Sequence, residues 1–151
     1  MRDYSASRRC HGIIAVLITP DEPPMSVTGH CLCKRIRFRF DGSVNWCSHC
    51  HCDSCRRQTA SPFTTFVSVA RNHFQWESDE PAAYASSRGV VRRFCRDCGT
   101  PVSYENDQYP DEIHLYRALL ELASTSMLPE KHDFWDERVA WVEVVDALPK
   151  E

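Results

Sequence analysis

The chain has 151 residues, of which 42% are hydrophobic and 26% charged. That is the size of one domain with enough apolar matter for a core, and it excludes a wholly disordered chain. A formal net charge of −3 excludes a general attraction to nucleic acid or to an anionic membrane, and no apolar run reaches the roughly 18 residues needed to cross a bilayer.

Nine cysteines are present, an odd number and mostly in tight pairs. This pattern reads as metal binding in a reducing cytoplasm rather than as a secreted disulfide framework. The basic pairs Arg8-Arg9, Arg56-Arg57 and Arg92-Arg93 read as solvated faces.

Residues 1–24 differ from the rest. The apolar run Gly12 to Ile18 follows Arg8-Arg9 and imitates a signal peptide, but it is short, and Thr19-Pro20-Asp21-Glu22-Pro23-Pro24 stands where a small-residue cleavage site belongs. The expectation is an arm over 1–24 that is poorly ordered, an added edge strand or not native, with Met25 as a candidate start, followed by one domain over 25–151.

Thr28 to Cys33 opens a strand and brings in two thiols. Arg35, Arg37 and Arg39 alternate with Ile36, Phe38 and Phe40, the period of a strand with one wet and one buried face. Asp41-Gly42-Ser43 marks a turn, and a strand from about Val44 runs into Cys47-Ser48-His49-Cys50-His51-Cys52-Asp53-Ser54-Cys55. A short helix over 53–60 is expected, capped by Asp53 or Ser54 and ended by Ser61-Pro62.

Further strands are expected at Phe63 to Val69, near Phe74-Trp76 and Ala83-Ala85, at Val90 to Phe94, at Val102-Tyr104 and at Ile113-Tyr116. A helical turn or two is expected over 118–123, and a last strand over Val139 to Val145. Short strands separated by turns make a mostly antiparallel β domain.

Two metal sites follow from the thiols. Cys31-x-Cys33 with Cys95-x-x-Cys98 makes a closed four-sulfur site, with Gly99 supplying a turn geometry that other residues resist. The alternatives are free buried cysteines or a redox-active Cys95/Cys98 pair. The central loop has two readings. Either Cys47, Cys50, Cys52 and Cys55 form a second closed site, or Cys50, Cys52 and Cys55 bind alone and leave a fourth position for water or substrate. His49 and His51 are further candidate ligands, His51 pointing away from the ion.

Gly29-His30-Cys31-x-Cys33, Cys50-His51-Cys52-x-x-Cys55-Arg56-Arg57, Ser61-Pro62-Phe63 and Arg93-Phe94-Cys95-x-x-Cys98-Gly99-Thr100-Pro101 together resemble the glutathione-dependent formaldehyde-activating enzyme and centromere protein V family, from about Met25 to Pro149. The resemblance implies an antiparallel β-tent zinc fold with short helices. It implies two Zn²⁺ per chain, a structural one on Cys31, Cys33, Cys95 and Cys98 and a catalytic one on Cys50, Cys52 and Cys55 with an open position. It also implies carbon–sulfur lyase chemistry that joins formaldehyde to glutathione.

On that reading the partners are a small thiol and a small carbonyl, and Arg56 and Arg57 are candidates for the glutathione carboxylates. Three thiolates weaken zinc as a Lewis acid, so delivery of the substrate thiol is the favoured role. Trp46, Phe63 and Phe66 are pocket or core, and His132 and Trp135 pack near the site. The rival classes are a zinc-stabilised binding module and a thiol redox sensor built on Cys47. Lys34 departs from the family, which often has glycine after C-x-C, so the turn there is expected to be strained or different.

Overall fold

The computed structural model describes residues 26–121 and 127–151. The expected arm, with Cys10, lies outside these residues, as do positions 122 and 123.

Period-two sequences become strands where one face is buried. β1 (Ser26–His30), β2 (Arg37–Asp41) and β5 (Phe74–Trp76) form a three-stranded antiparallel sheet in the order β1-β2-β5. Phe38 and Phe40 of β2 are fully buried while Arg37 is exposed. Gly29 of β1 is required by contact: a Cβ there would stand 2.4 Å from the Phe38 ring.

The second sheet has seven strands in the order β10-β3-β4-β9-β8-β7-β6. They are β3 (Val44–Cys50), β4 (Thr64–Ala70), β6 (Ala82–Ser87), β7 (Val90–Phe94), β8 (Pro101–Asn106), β9 (Glu112–Tyr116) and β10 (Lys131–Asp133). The two sheets enclose a core of Val27, Ile36, Phe38, Phe40, Cys47, Val67, Val69, Val102, Ile113 and Leu115. The architecture is mostly β, with one short helix, α1 (Asp53–Thr59), and 3-10 turns, one at Arg117–Leu119.

Two elements differ from expectation. The large sheet is mixed, because β10 pairs parallel to β3, His132 opposite His49. The predicted strand over 139–145 does not form. Its alternation is real, with Val142 and Val144 half-buried and Trp141 and Val145 exposed. It has no ladder to join, since the outer edge of β10 is taken by residues near the C-terminus: His132 N–H donates to Pro149 O at 2.8 Å and Glu151 N–H to His132 O at 2.8 Å. Residues 139–144 instead line a small cavity with His51, Pro62 and Phe63.

Lys34 has φ of 63°, a left-handed conformation that glycine adopts at no steric cost and that a Cβ disfavours. The tight turn it serves is held by Lys34 N–H to Cys31 O at 2.9 Å. The departure at this position therefore costs conformational energy. Lys34→Gly is expected to raise stability by about 1 kcal/mol, read as an increase in the urea midpoint at unchanged slope; no increase would show that the turn carries no strain.

A half-buried ion network around Glu105 links β8 to β7 and to Arg71, the residue after β4. Arg93 Nε donates to Glu105 Oε1 at 2.6 Å and Arg71 Nη2 to Glu105 Oε2 at 2.9 Å. Burial works against ionisation of Glu105, but Arg93 and then Arg71 outweigh it and hold its carboxyl below the usual range. The unfolded chain therefore takes up this proton first as pH falls. The contribution is complete above about pH 4.3, the ordinary glutamate value, and is lost below it as pH falls through the folded value. Glu105→Gln should cost about 2 kcal/mol at neutral pH and flatten the acid limb of a stability–pH curve.

Candidate metal centres

Alternation along the large sheet decides which side chains meet. On β3, Trp46, Ser48 and Cys50 point to the face away from the main core, joined by Phe66 and Ser68 of β4, His114 and Tyr116 of β9, Tyr104 of β8 and Arg92 of β7. Cys47 has the other parity and lies in the main core. Burial pushes its thiol up to about 11. It is not among the sulfurs that converge with Cys50, so the closed four-cysteine reading of the central loop is set aside.

Cys50, Cys52 and Cys55 bring their sulfurs within 4.8 Å of one another. Cys50 ends β3, and Cys52 and Cys55 flank the start of α1. The cap of α1 is Cys52 rather than Asp53 or Ser54: its Sγ accepts from Cys55 N–H at 3.4 Å. Sulfur accepts the N–H that a hydroxyl or carboxylate was expected to take, because Cys52 turns inward to meet its partners. Asp53 instead pairs with Arg56 and Arg57 at 3.3 and 2.7 Å. Hydrogen bonds from Cys50 and then Cys55 hold the Cys52 thiol far below its ordinary value, and the same contacts with burial drive Cys50 up. Three sulfurs this close are stable as thiolates only with a cation among them.

Among the described residues no further Cys, His, Asp or Glu joins this trio. His49 Nδ1 bonds Thr65 Oγ1 at 2.8 Å. His51 points away from the sulfurs, its Nε2 2.8 Å from His132 Nδ1, and His132 Nε2 is 2.9 Å from Asp146 Oδ2. The Asp146 carboxylate accepts from His132 Nε2–H, which leaves Nδ1 to accept from His51 Nε2–H. Burial, then His132, lowers the His51 pKa to about 4, so His51 is neutral at pH 7.

The loop is held from outside by non-ligands. His51 N–H donates to Asp133 O at 3.0 Å, Glu130 N–H to Cys47 O at 2.9 Å, and Asp53 N–H to Glu137 Oε2 at 2.7 Å. Arg56 Nε donates to His51 O at 2.9 Å. Arg57 stands exposed, bonded to Asp53. Phe63 packs on His49 and His51, 5.0 and 5.1 Å between ring centres, and Trp135 lies 5.0 Å from both His51 and His132.

The expected solvated face at Arg92-Arg93 is not observed. Arg92 is only 4% exposed. Its guanidinium lies 3.7 and 3.9 Å from Cys55 Sγ, donates to Ser86 Oγ at 3.2 Å, and sits 5.0 Å from the Tyr104 ring centre. Among the described residues none of the ion pairs gives it a carboxylate. A buried cation without a counter-charge costs several kcal/mol, so its presence implies that the sulfur cluster is anionic. The strand pattern of β7 could have pointed to it, since Arg92 and Arg93 must face opposite ways.

Among the described residues, two buried side-chain oxygens have no hydrogen-bond partner, Ser48 Oγ and the Tyr116 hydroxyl. Both lie on this same face, and burial pushes the Tyr116 pKa up.

The second cluster joins the two sheets. Cys31 and Cys33 follow β1, and Cys95 and Cys98 follow β7. Cys31 Sγ to Cys33 Sγ is 3.5 Å and Cys33 Sγ to Cys95 Sγ is 3.7 Å, with all four sulfurs within 4.8 Å. A tetrahedral ion with about 2.3 Å bonds to sulfur separates its ligands by about 3.8 Å, so the spacing fits. Ile36 N–H reaches Cys31 Sγ at 3.3 Å, and the Thr100 hydroxyl reaches Cys98 Sγ at 3.1 Å. That hydroxyl is the main reason the Cys98 thiol falls to about 5. Gly99, at φ of 74°, turns the second knuckle as Lys34 turns the first.

Comparison with known proteins follows this geometry. A solved structure of a Rhodobacter sphaeroides protein aligns with a TM-score of 0.52 and 20% identity, over 65% of this chain and 91% of that one, which supports the fold. A protein of Schizosaccharomyces pombe named an uncharacterized lyase is 37% identical over 90 residues, 58% of this chain. The match spans 65% of that relative's length. The model of the family described as glutathione-dependent formaldehyde-activating enzyme matches residues 26–137, which include all seven clustered cysteines, and the chain belongs to that family.

Proposed function

We propose that the protein is a zinc-dependent carbon–sulfur lyase that joins formaldehyde to glutathione and cleaves the adduct. The observation that carries this is the trio Cys50, Cys52 and Cys55, which offers three sulfurs and, among the described residues, no fourth ligating side chain. The donor set fits zinc, a borderline-soft ion that takes thiolates in tetrahedral array. When bound, zinc supplies a positive charge that keeps a substrate sulfur ionised at neutral pH. The four-cysteine cluster, closed by its own ligands, has the structural role.

The residues of the chain do the rest. Cys50, Cys52 and Cys55 hold the ion from one side and leave the other to the substrate thiol. The glutathione thiolate attacks the formaldehyde carbon; the carbon–sulfur bond forms, the carbonyl π pair moves to oxygen, and that oxygen takes a proton to give S-hydroxymethylglutathione. The same site run backwards breaks the carbon–sulfur bond. Arg57, exposed two residues after Cys55 and paired with Asp53, would take a glutathione carboxylate, and Arg56, committed to His51 O and Asp53, shapes the loop and adds positive charge. Segment 130–137 keeps the loop in place.

Metal analysis should find two zinc ions per chain in the wild type, one in Cys52→Ser and two in Cys47→Ala. A full complement in Cys52→Ser would remove the three-sulfur site from consideration. In the presence of formaldehyde, NMR should show faster S-hydroxymethylglutathione formation with wild type than in buffer, no acceleration with Cys52→Ser, and a several-fold weaker glutathione KM in Arg57→Ala. Two zincs with neither glutathione binding nor acceleration would instead indicate a binding module.

A further inference from the structure

Three thiolates around a divalent cation leave one net negative charge on the centre. A thiolate substrate would add a second in a buried corner, which is electrostatically costly. Something must offset it, and the ligands cannot.

Arg92 occupies that position. It is buried, its two terminal nitrogens both face Cys55 Sγ, and the ion pairs among the described residues give it no carboxylate. Ser86 Oγ, the Tyr104 ring and the Tyr116 hydroxyl, its other neighbours, carry no charge. The charge of arginine persists at every pH at which the protein is folded. The Tyr116 hydroxyl, buried beside Arg92 on the same sheet face, has no acceptor for its own proton among the described residues. Arg92 can only donate, so it cannot accept the phenolic proton, and an incoming sulfur or oxygen can.

We propose that Arg92 is the positioning residue that makes the three-cysteine centre accept an anionic thiolate as its fourth ligand, by cancelling through Cys55 the negative charge the three sulfurs leave. This rests on the reading of the trio as a zinc site that binds the substrate thiol. It adds a selectivity rule: the centre takes a thiolate in preference to a neutral donor, and the preference resides in one cation outside the coordination sphere.

Two variants separate charge from packing. Arg92→Gln keeps an N–H donor and removes the charge; Arg92→Lys keeps the charge and removes the fork. Each is loaded with zinc, its metal content is counted, and glutathione and imidazole, an anionic and a neutral ligand, are titrated by calorimetry. Arg92→Gln is expected to keep two zincs, lose at least tenfold in glutathione affinity, and hold its imidazole affinity within about threefold. Arg92→Lys is expected to stay within about threefold of wild type for both ligands.

Equal glutathione affinity in Arg92→Gln and wild type, or an equal loss in both variants, would overturn the role of charge while leaving the thiol-binding reading standing. Failure of zinc-loaded wild type to bind glutathione would overturn both. Should Arg92→Gln not fold, a tenfold or greater loss for glutathione alone in Arg92→Lys would overturn the proposal, and retention of both affinities in that variant would support it.

Discussion

Strand parity in the large sheet governs the molecule. Successive side chains must point to opposite faces, so each strand sends one set inward to an apolar core and the other to a polar, sulfur-bearing face. Cys47 and Cys50 lie three residues apart on β3 and are thereby separated, one into the main core and one into the metal centre. Arg92 and Arg93 are neighbours with opposite fates. Arg93 meets Glu105 and Glu80, while Arg92 is driven against Cys55. A one-residue slip of β3 would turn Cys50 into the apolar core and Cys47 away from it, so the sulfur cluster depends on register as much as the core does.

Much of this was legible from the sequence because it depends on short-range pattern. The alternation at Arg35–Phe40 is the β2 strand, the C-x-C and C-x-x-C spacings are the knuckles, and lysine after C-x-C is the left-handed turn at Lys34. The missed features depend on distant partners. Lys131-His132-Asp133 is too short to show a period, and it becomes a strand only because β3 offers a free edge. Val139 to Val145 has the period but loses its edge to the residues near the C-terminus. Cys52 caps α1 because its sulfur is drawn inward by Cys50 and Cys55, which no local propensity records. The inward arginine was hidden by composition, since an Arg-Arg pair reads as surface until the two faces of its strand are assigned.

The two cysteine clusters differ in what surrounds them, and that difference agrees with the roles proposed for them. The four-sulfur cluster is a junction: each knuckle is a tight turn whose backbone groups bond within it, and the sulfurs tie the small sheet to the β7–β8 hairpin together with Leu32 N–H to Thr100 Oγ1 at 3.2 Å and Arg35 to Asp97 at 2.6 Å. The three-sulfur cluster is braced from outside by groups that are not ligands. Glu130, Asp133 and Glu137 hold the loop backbone, and the Asp146–His132–His51 chain anchors, on the side away from the sulfurs, the residue that separates Cys50 from Cys52 in sequence. A loop held in this way would keep its shape if a fourth ligand exchanged, which a closed junction never has to do. Arg92 reaches Cys55 from β7 and is buried, whereas Arg57 is exposed and paired with Asp53. On the proposed function the buried cation would face the thiolate and the exposed one a carboxylate of the same ligand.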